Sequence, residues 1–558
     1  MARFVVLGWF MLRTLTVGIA LLLAGGCGGG GGSSGGPLTT PVTSVTVSGR
    51  VSFEQVPFSA TLDAGLDFAR SVTAPVRAAT VEVIATNGGG ILASGTTDST
   101  GNYGLTVQPN IDVIVRVKAQ MQRTGTPAWN FSVRDNTNFE SLYALDSSVF
   151  NTGTAAVTRN LHAASGWGGG SFTGPRAAAP FSVLDAVYQA YQLVLTASPS
   201  QVFPELRMMW SGNNRPVAPT GNDAAAIAMQ LAAGNIGTTF YSSGTPARIF
   251  VLGDASVDTD EFDQHVLAHE WGHYYQDQFS RDDSLGGSHD TNQRLDIRLA
   301  FSEGWGNAFS GMVKRDSRYR DSFFQANVLR DFSIDVESNT AVLPGAYSEA
   351  STQSIIYDLY DSVNEGADTI SLGFQPIHTA MVSSLRTTRA FTTIYTLLSA
   401  IRAASAGQAA AIDNLSSSQA IAANAGDFAT NETNNGGDAR NLPVFRSVAS
   451  GQTQQVCSIA ANGTYNRFGN RKFLRFDLAV AGSITVRASN GPVGSDPDLV
   501  LFAAGAVRGL ADSSASGAET LTVTNLTAGS YVIEVYEYSN QGNAPRGDTC
   551  FDLQVTAG

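Results

Sequence analysis

A chain of 558 residues is too long for one hydrophobic core, so we expect several domains. Its formal net charge is −13 and no Lys/Arg-rich run occurs in it, which argues against a nucleic-acid partner. Only 15% of the residues are charged and 58 are glycine, a composition that favours Gly/Ser/Thr-rich β-domains outside the cell.

The N-terminus has the pattern of an export signal. Arg13 precedes the apolar stretch LTVGIALLLAGG, which is too short to span a bilayer but fits the core of a signal peptide. The small residues directly before Cys27 resemble a bacterial lipobox, and this resemblance implies an acylated Cys27 that anchors the mature chain in a cell-envelope membrane. An ordinary cleaved signal and an N-terminal membrane anchor are the alternatives. Residues 28–41 are predicted to be a flexible Gly/Ser tether.

The next segment, residues 42–120, alternates apolar and polar side chains between turn-forming stretches, which predicts an all-β domain. The run ILASGTTDSTGNYGLTVQPN resembles the carboxypeptidase-regulatory-like β-sandwich, in which two strands flank a D-x-x-G-x-Y turn. Such a module implies a spacer or adhesive role. We expect residues 121–160 to form a connecting β segment.

From about residue 161 the pattern becomes helical, and we expect a catalytic domain over 161–430. FSVLDAVYQAYQLVL has apolar side chains at helical spacing, and ARIFVLGD is predicted to be the edge strand over a substrate cleft. The acidic start and apolar stripe of 258–279 predict one long helix. Further helices are expected at about 292–314, 349–362, 376–384 and 390–424. The polar, Gly/Asn-rich segment that follows is a predicted linker over 431–449.

Residues 450–558 return to a β pattern. DPDLVLF and LTAGSYVIEVY resemble strands of the pre-peptidase C-terminal β-sandwich that accompanies secreted bacterial peptidases. If Cys27 carries lipid, Cys457 and Cys550 remain as a pair in an oxidising compartment, and we predict a disulfide between them.

Three of the six histidines lie close together in the helix that contains HEWGH. Residues four apart share one helix face, so His265 with His269, or His269 with His273, could hold one metal ion. Glu270 favours the second pair, because it projects beside His269 toward the same metal-bound water. We expect His265 to pack one turn upstream.

Zinc needs a third protein ligand and an open position for water. Glu303, in SEGWGNAF, is a single acid on the helix face that also carries Leu299 and Asn307. A buried glutamate without a partner would be unfavourable, so a zinc ion explains it.

HEWGH followed by SEGWGNAF resembles the gluzincin metallopeptidases, especially the fungalysin-like and thermolysin-like groups. This resemblance implies that His269, His273 and Glu303 bind zinc and that Glu270 is the general base. The family usually has an aspartate where this chain has Asn307, so Asn307 is expected to orient a histidine ligand without that charge.

The resemblance further implies a His or Tyr that stabilises the oxyanion. The candidate in this chain is Tyr347, with His378 as the second choice and Glu349 near the position of the family's histidine.

The sequence thus predicts a multidomain chain with an α+β, zincin-type catalytic domain between N- and C-terminal β-sandwiches. The predicted function is zinc-dependent endopeptidase activity on extracellular proteins, in a secreted or lipid-anchored protein. One alternative is a surface adhesion protein whose zincin-like domain is inactive, and another is a closed structural zinc site with His265 as fourth ligand. The acidic run RDDSLGGSHD could hold calcium, although its spacing is not that of an EF-hand, and a solvated loop is the alternative.

Overall fold

The computed structural model describes residues 44–558 apart from 222, 339, 365 and 514–516. The predicted signal, Cys27 and the tether at 28–41 therefore lie outside the described residues. In the part of the chain that is described, no helix has the length and apolar character needed to cross a membrane.

The N-terminal region is built from short strands whose apolar side chains alternate with polar ones. In the fifth strand, for example, Tyr103, Leu105 and Val107 are buried while the residues between them are exposed. The strands up to residue 163 are β1 (Val45–Gln55), β2 (Val72–Pro75), β3 (Ala79–Ala85), β4 (Ile91–Thr96), β5 (Asn102–Val107), β6 (Asp112–Arg123), β7 (Trp129–Asp135), β8 (Ser141–Leu142), β9 (Ala144–Asp146), β10 (Phe150–Asn151), β11 (Val157–Thr158) and β12 (Leu161–Ala163).

One ten-stranded sheet joins this region to the centre of the chain. It adds the strands β13 (Leu206–Trp210), β14 (Phe240–Ser242) and β15 (Ala247–Val251), and its main path runs β14-β15-β13-β7-β6-β3-β4. Strand β13 pairs in parallel with β7 on one side and with β15 on the other. Backbone hydrogen bonds therefore cross the predicted domain boundary at residue 160. The sequence did not reveal this pairing, because alternation identifies a strand without identifying its partner. The β-strands predicted over 42–120 are present, and through β6 and β7 some of them belong to a sheet that extends to β13, β15 and β14.

The predicted helices occur in the expected order, with one addition and one division. The predicted metal ligands lie on two of these helices. In the described residues the α-helices are α1 (Ala179–Ala197), α2 (Ala224–Ala232), α3 (Gln264–Phe279), α4 (Ile297–Lys314), α5 (Glu349–Tyr360), α6 (Phe374–Thr379), α7 (Ile394–Ala404) and α8 (Ala409–Ser418). Helix α2 is the addition, and the helix expected over 390–424 is divided into α7 and α8. The helix predicted from residue 258 begins only at Gln264, because the acidic residues before it form turns and contact other segments. The hairpin β16 (Arg318–Gln325) and β17 (Val328–Asp335) follows α4 and was not predicted.

The C-terminal region has its own buried core between two sheets. One sheet has the order β18-β20-β25-β22-β23 and the other β19-β26-β21-β24. Cys457 lies opposite Cys550 in the register of β19 and β26, and the two form a disulfide. The strands are β18 (Phe445–Ser447), β19 (Thr453–Ser458), β20 (Lys472–Leu478), β21 (Gly482–Ser489), β22 (Pro497–Ala503), β23 (Ala506–Ala511), β24 (Glu519–Leu526), β25 (Gly529–Glu537) and β26 (Thr549–Ala557).

This sandwich docks firmly on the central region. Arg298 of α4, only 2% exposed, donates to Asp296 at 2.9 Å and to Glu534 of β25 at 2.7 Å. The predicted linker over 431–449 is packed as well, since Asn441 and Phe445 are buried and β18 pairs with β20. Its polar composition therefore indicates hydrogen-bonded irregular structure and not a free hinge.

Candidate metal centre

Helices α3 and α4 bring two imidazoles and one carboxylate to a common point. His269 Nε2 and His273 Nε2 are 3.0 Å apart, and each lies 3.3 Å from Glu303 Oε2. Ligands about 2.0–2.1 Å from a tetrahedral zinc ion are roughly 3.3 Å from one another, so the triangle fits this ion. The three side chains are 8–12% exposed, and the site opens toward a cleft.

The two helices approach closely because both carry glycine at the crossing. A Cβ atom added to Gly272 would lie 3.3 Å from the Cα of Gly306. A Cβ atom added to Gly306 would lie 2.7–2.8 Å from three atoms of the His269 ring. The glycines of HEWGH and EGWGN thus bring the ligands together, a role that the metal motif alone does not reveal.

A chain of hydrogen bonds extends outward from the first histidine. Asn307 Oδ1 accepts from His269 Nδ1 at 2.8 Å, which leaves Nε2 of this ring free for a metal ion. The amide of Asn307 then donates to Glu349 at 2.8 Å and to Gln353 at 2.9 Å. The negative charge that an aspartate would supply at position 307 is therefore present one residue further out, on Glu349.

His289 is the residue that sequence reasoning missed. Its Nδ1 lies 3.0 Å from Glu349 Oε2, and its Nε2 lies 3.3 Å from Glu303 Oε2. Burial disfavours the protonated ring, but the hydrogen bond to Glu349 and the charges of Glu303 and Glu349 outweigh it and raise the pKa of His289 to about 9. No motif surrounds His289, so its position beside the glutamate on the next helix could be found only in three dimensions.

The loop that carries His289 is held by the C-terminal sandwich. Asn466 donates to the backbone carbonyls of Gly286 and Ser288 at 3.0 Å, and Arg467 donates to that of Ser288 at 2.8 Å. The C-terminal module therefore holds a loop that lines the site.

Glu270 projects beside the ligands into the same cleft. Its Oε2 accepts from the backbone N–H of Tyr241 in β14 at 2.7 Å. Burial raises the pKa of the Glu270 carboxyl, and the neighbouring His269 and His273 oppose this shift. A glutamate with a raised pKa next to a metal centre is suited to accept and release a proton near neutral pH.

The cleft has a volume of about 1320 Å³ and is bounded by β14, α3, α4, the loop around His289 and the hairpin β16–β17. Its rim strand is β14, whereas the predicted edge strand ARIFVLGD became β15, which lies between β14 and β13. The prediction was wrong because the apolar β15 is buried on both sides, while the true edge strand has only three residues.

Two other predicted residues lie elsewhere. The Tyr347 hydroxyl donates to Pro344 O and Asn434 Oδ1, both at 3.1 Å, and its ring packs on Phe468, so it does not line the cleft. His378 is buried against Tyr275, with the Tyr275 hydroxyl 2.7 Å from its Nδ1. Both assignments came from an approximate alignment with a family segment, and the packing overturns them.

His265 does not join the metal ligands. Its Nδ1 lies 3.2 Å from Ser310 Oγ, and burial lowers its pKa to about 3. Within the described residues, two groups of three or more ligating side chains come together: His269, His273 and Glu303, and a group of four aspartates. Neither includes His265 or a residue of the acidic run 281–290, where Asp283 instead pairs with Arg281.

Comparison with known proteins gives one family match. The model described as the mycolysin C-terminal domain matches residues 218–406, roughly a third of the chain, and this range includes both metal-site helices. None of the curated proteins matches the chain. The family match supports a peptidase-associated architecture.

Solved structures resemble parts of the chain. The pre-peptidase C-terminal domain of a collagenase from Bacillus anthracis is 18% identical, covers 20% of this chain and 93% of its own, and has a TM-score of 0.16. PliG, a periplasmic inhibitor of g-type lysozyme from Aeromonas hydrophila, is 16% identical over 21% of this chain and 96% of its own, also with a TM-score of 0.16. Likenesses with scores this low assign no fold.

Proposed function

We propose that this protein is a zinc-dependent endopeptidase that hydrolyses extracellular proteins, secreted or anchored to the cell envelope through Cys27. The observation that carries the proposal is the triangle of His269, His273 and Glu303 with Glu270 beside it, facing an open cleft. The peptidase-related family match over the same helices supports it.

Each residue of the site has a distinct role in the proposed hydrolysis. A zinc ion held by His269, His273 and Glu303 would supply Lewis-acid activation of water and of the scissile carbonyl. Glu270 would accept the proton of the attacking water and deliver it to the leaving amine. The Tyr241 N–H fixes the Glu270 carboxylate in position for both transfers.

His289 is the candidate for the group that stabilises the oxyanion, in place of Tyr347. It lies in the cleft wall, it carries a ring N–H, and Glu349 holds it from behind. The substrate backbone can add as an extended strand along β14, which is the sheet edge at the cleft.

The two rival functions fit these contacts less well. An adhesion protein with an inactive domain gives no reason for an intact ligand triangle with a general base. A closed structural zinc site needs a fourth protein ligand, and among the described residues no further ligating side chain joins the three.

The test compares the purified protein with Glu270→Gln. We expect one zinc per chain in both, cleavage of a broad peptide library by the first, and loss of at least about 1000-fold in kcat/KM in the second, because the proton acceptor is gone. Glu205→Gln, the same change at a glutamate that pairs with Arg207 away from the cleft, is the matched control. Full activity in Glu270→Gln, or no stoichiometric zinc, would contradict the proposal.

A further inference from the structure

The loop that carries His289 has little regular structure of its own. It runs from residue 281 to residue 290, between α3 and α4, and contains neither a helix nor a strand. Within the described ranges, no backbone group of 284–289 bonds to another backbone group. Side chains must therefore fix the conformation of this loop.

The C-terminal sandwich supplies two of these side chains, from the connection between β19 and β20. Asn466, which is only 2% exposed, donates to the backbone carbonyls of Gly286 and Ser288, both at 3.0 Å. Arg467 donates to the Ser288 carbonyl as well, at 2.8 Å, and a charged donor makes a stronger hydrogen bond than a neutral one. The carbonyl that both residues bind directly precedes His289 in the chain.

The loop also lies against the sandwich without space between them. A Cβ atom added to Gly287 would lie 1.6 Å from Tyr465 Oη and 2.8 Å from Asn466 Nδ2. The φ angle of Gly287 is +95°, in the left-handed region. Gly286 also has a positive φ, +63°, but nothing lies within 4 Å of a Cβ atom added there. Contact with the sandwich therefore restricts position 287 and not position 286.

The segment that holds the loop is itself bonded to the start of α4. The Asp296 N–H donates to the Asn466 carbonyl, and the Phe468 N–H donates to the Arg294 carbonyl, both at 2.9 Å. Arg294 and Asp296 directly precede α4, which carries Glu303. One segment of the sandwich thus fixes the His289 loop and the beginning of a metal-ligand helix relative to each other.

The ring of His289 depends on the position of its backbone. Its Nδ1 lies 3.0 Å from Glu349 Oε2 and its Nε2 lies 3.3 Å from Glu303 Oε2. A histidine side chain reaches both carboxylates only from a narrow range of backbone positions, because it has two rotatable bonds. A displacement of about 1 Å at a catalytic group is enough to slow a reaction strongly. The anchored carbonyl of Ser288 is one peptide away from this ring.

The alternative is that these contacts serve only to dock the sandwich. Docking has other contacts, however. Glu534 of the sandwich forms ion pairs with Arg298 of α4, at 2.7 Å, and with Arg471. Phe391 of the central region packs edge-on against Phe473 of β20, with ring centroids 5.2 Å apart. The sandwich is therefore held in place without the side chains that bind the His289 loop.

We infer that the C-terminal sandwich is a working part of the catalytic unit, in which Asn466 and Arg467 position His289 beside the metal centre. Neither residue lines the cleft, so both are positioning residues. The catalytic consequence rests on the proposed function, whereas the anchoring of the loop does not require peptidase activity. A chain that lost the sandwich would keep its metal ligands and lose the order of the His289 loop.

The first test measures peptide cleavage by the full-length, zinc-loaded protein. We expect Arg467→Ala to lower kcat at least about 3-fold and Asn466→Ala with Arg467→Ala at least about 10-fold, with KM changed less than about 2-fold, because His289 acts on the developing oxyanion. Arg467→Lys keeps a donor and should recover most of the loss. Arg546→Ala is the control and should change neither constant, because Arg546 donates to the Val493 carbonyl within the sandwich.

A double-mutant cycle shows whether the effect passes through His289. In a His289→Ala background, Arg467→Ala should lower kcat by less than about 1.5-fold, because the group that Arg467 positions is already gone. The same loss in both backgrounds, or a loss confined to KM, would overturn the positioning role. An unchanged kcat in Arg467→Ala and in the double variant, from an active parent, would also overturn it.

The second test measures the order of the loop and does not use the activity of this protein. Every variant carries Glu270→Gln to prevent self-cleavage and is treated with subtilisin, and mass spectrometry locates the cuts. Arg467→Ala should be cut within 284–291 at least about 10-fold faster than the Glu270→Gln parent, and Arg546→Ala at the parent rate. Equal rates would overturn the inference. Faster cutting in a protein whose parent cleaves no peptide would support the anchoring and refute only the proposed function.

The two neighbouring glycines give a matched pair for the same assay. Gly287→Ala places a methyl group against Tyr465 and should speed cutting of the loop as Arg467→Ala does. Gly286→Ala also strains a positive φ but has open space around it, so its effect should be at least about 3-fold smaller. Equal effects would show that backbone strain alone, and not contact with the sandwich, orders the loop, which would contradict the inference.

Discussion

Replacing Asn307 by aspartate, the residue that the gluzincin pattern usually has at this position, is expected to destabilise this protein. In the structure the Asn307 amide donates to Glu349 at 2.8 Å and to Gln353 at 2.9 Å, and all three side chains are at most 3% exposed. Asn307→Asp removes both donors and sets a second carboxylate against Glu349. The Gln353 amide can turn to donate to the new aspartate, but Glu349 cannot.

The size of the effect follows from these contacts. Two unit charges about 3 Å apart repel by roughly 5–6 kcal/mol at an effective dielectric constant of 20. The repulsion disappears if one of the two carboxylates binds a proton, which costs about 4 kcal/mol at pH 7 for a carboxyl group of ordinary acidity. This cost is the upper limit of the loss in free energy of unfolding. We therefore expect Asn307→Asp to lower the free energy of unfolding by about 3–4 kcal/mol.

A double-mutant cycle measures the coupling. Glu349→Gln restores a donor beside the new aspartate, so Asn307→Asp combined with Glu349→Gln should return to within about 1 kcal/mol of the parent, with a favourable coupling of at least about 2 kcal/mol. The assay is urea unfolding of the four metal-free proteins, followed by tryptophan fluorescence. An unchanged stability in Asn307→Asp, or a coupling below about 0.5 kcal/mol, would refute the reasoning.

Two further predictions concern residues on α3 and α4. Gly306→Ala puts a methyl group against the His269 ring, so zinc affinity should fall at least about 10-fold and the free energy of unfolding by about 1–3 kcal/mol. Metal competition and urea unfolding measure the two effects. Gly407→Ala is the control and should change neither, because Gly407 has open space around it. His265 has its pKa lowered to about 3, so between about pH 6.5 and 3 the unfolded chain binds more protons and the free energy of unfolding falls as the pH falls. Between pH 7.5 and 5.0 the metal-free parent should lose about 2 kcal/mol more than His265→Gln, and equal losses would contradict this assignment.

Much of the local structure could be read from the sequence, because periodicity is a property of neighbours along the chain. The period of two predicted most of the longer strands of both β regions. The period of 3.6 predicted α1, α3, α4 and α5, although α3 and α4 begin later than expected, at Gln264 and Ile297. HEWGH could be recognised for the same reason, since residues four apart share a helix face whatever surrounds the helix. Glu303 could be identified only with one further argument, namely that a zinc ion needs a third protein ligand.

The tertiary structure decided which distant residues meet. Strand β7 pairs with β13 about 75 residues later, and His289 contacts Glu349 about 60 residues away. These contacts form because the chain buries the apolar faces of the sheet and of helices α3 and α4 together. The replacement of an expected aspartate by Asn307 appeared as a weakness in the sequence, yet Glu349 carries the missing charge behind it. The acidic residues before α3 were expected to begin a helix, and only the fold gathers them with Asp321 around one point. Side-chain chemistry is fixed by the sequence, but the electrostatic field at a site is a sum over groups that only the folded chain brings within a few ångströms.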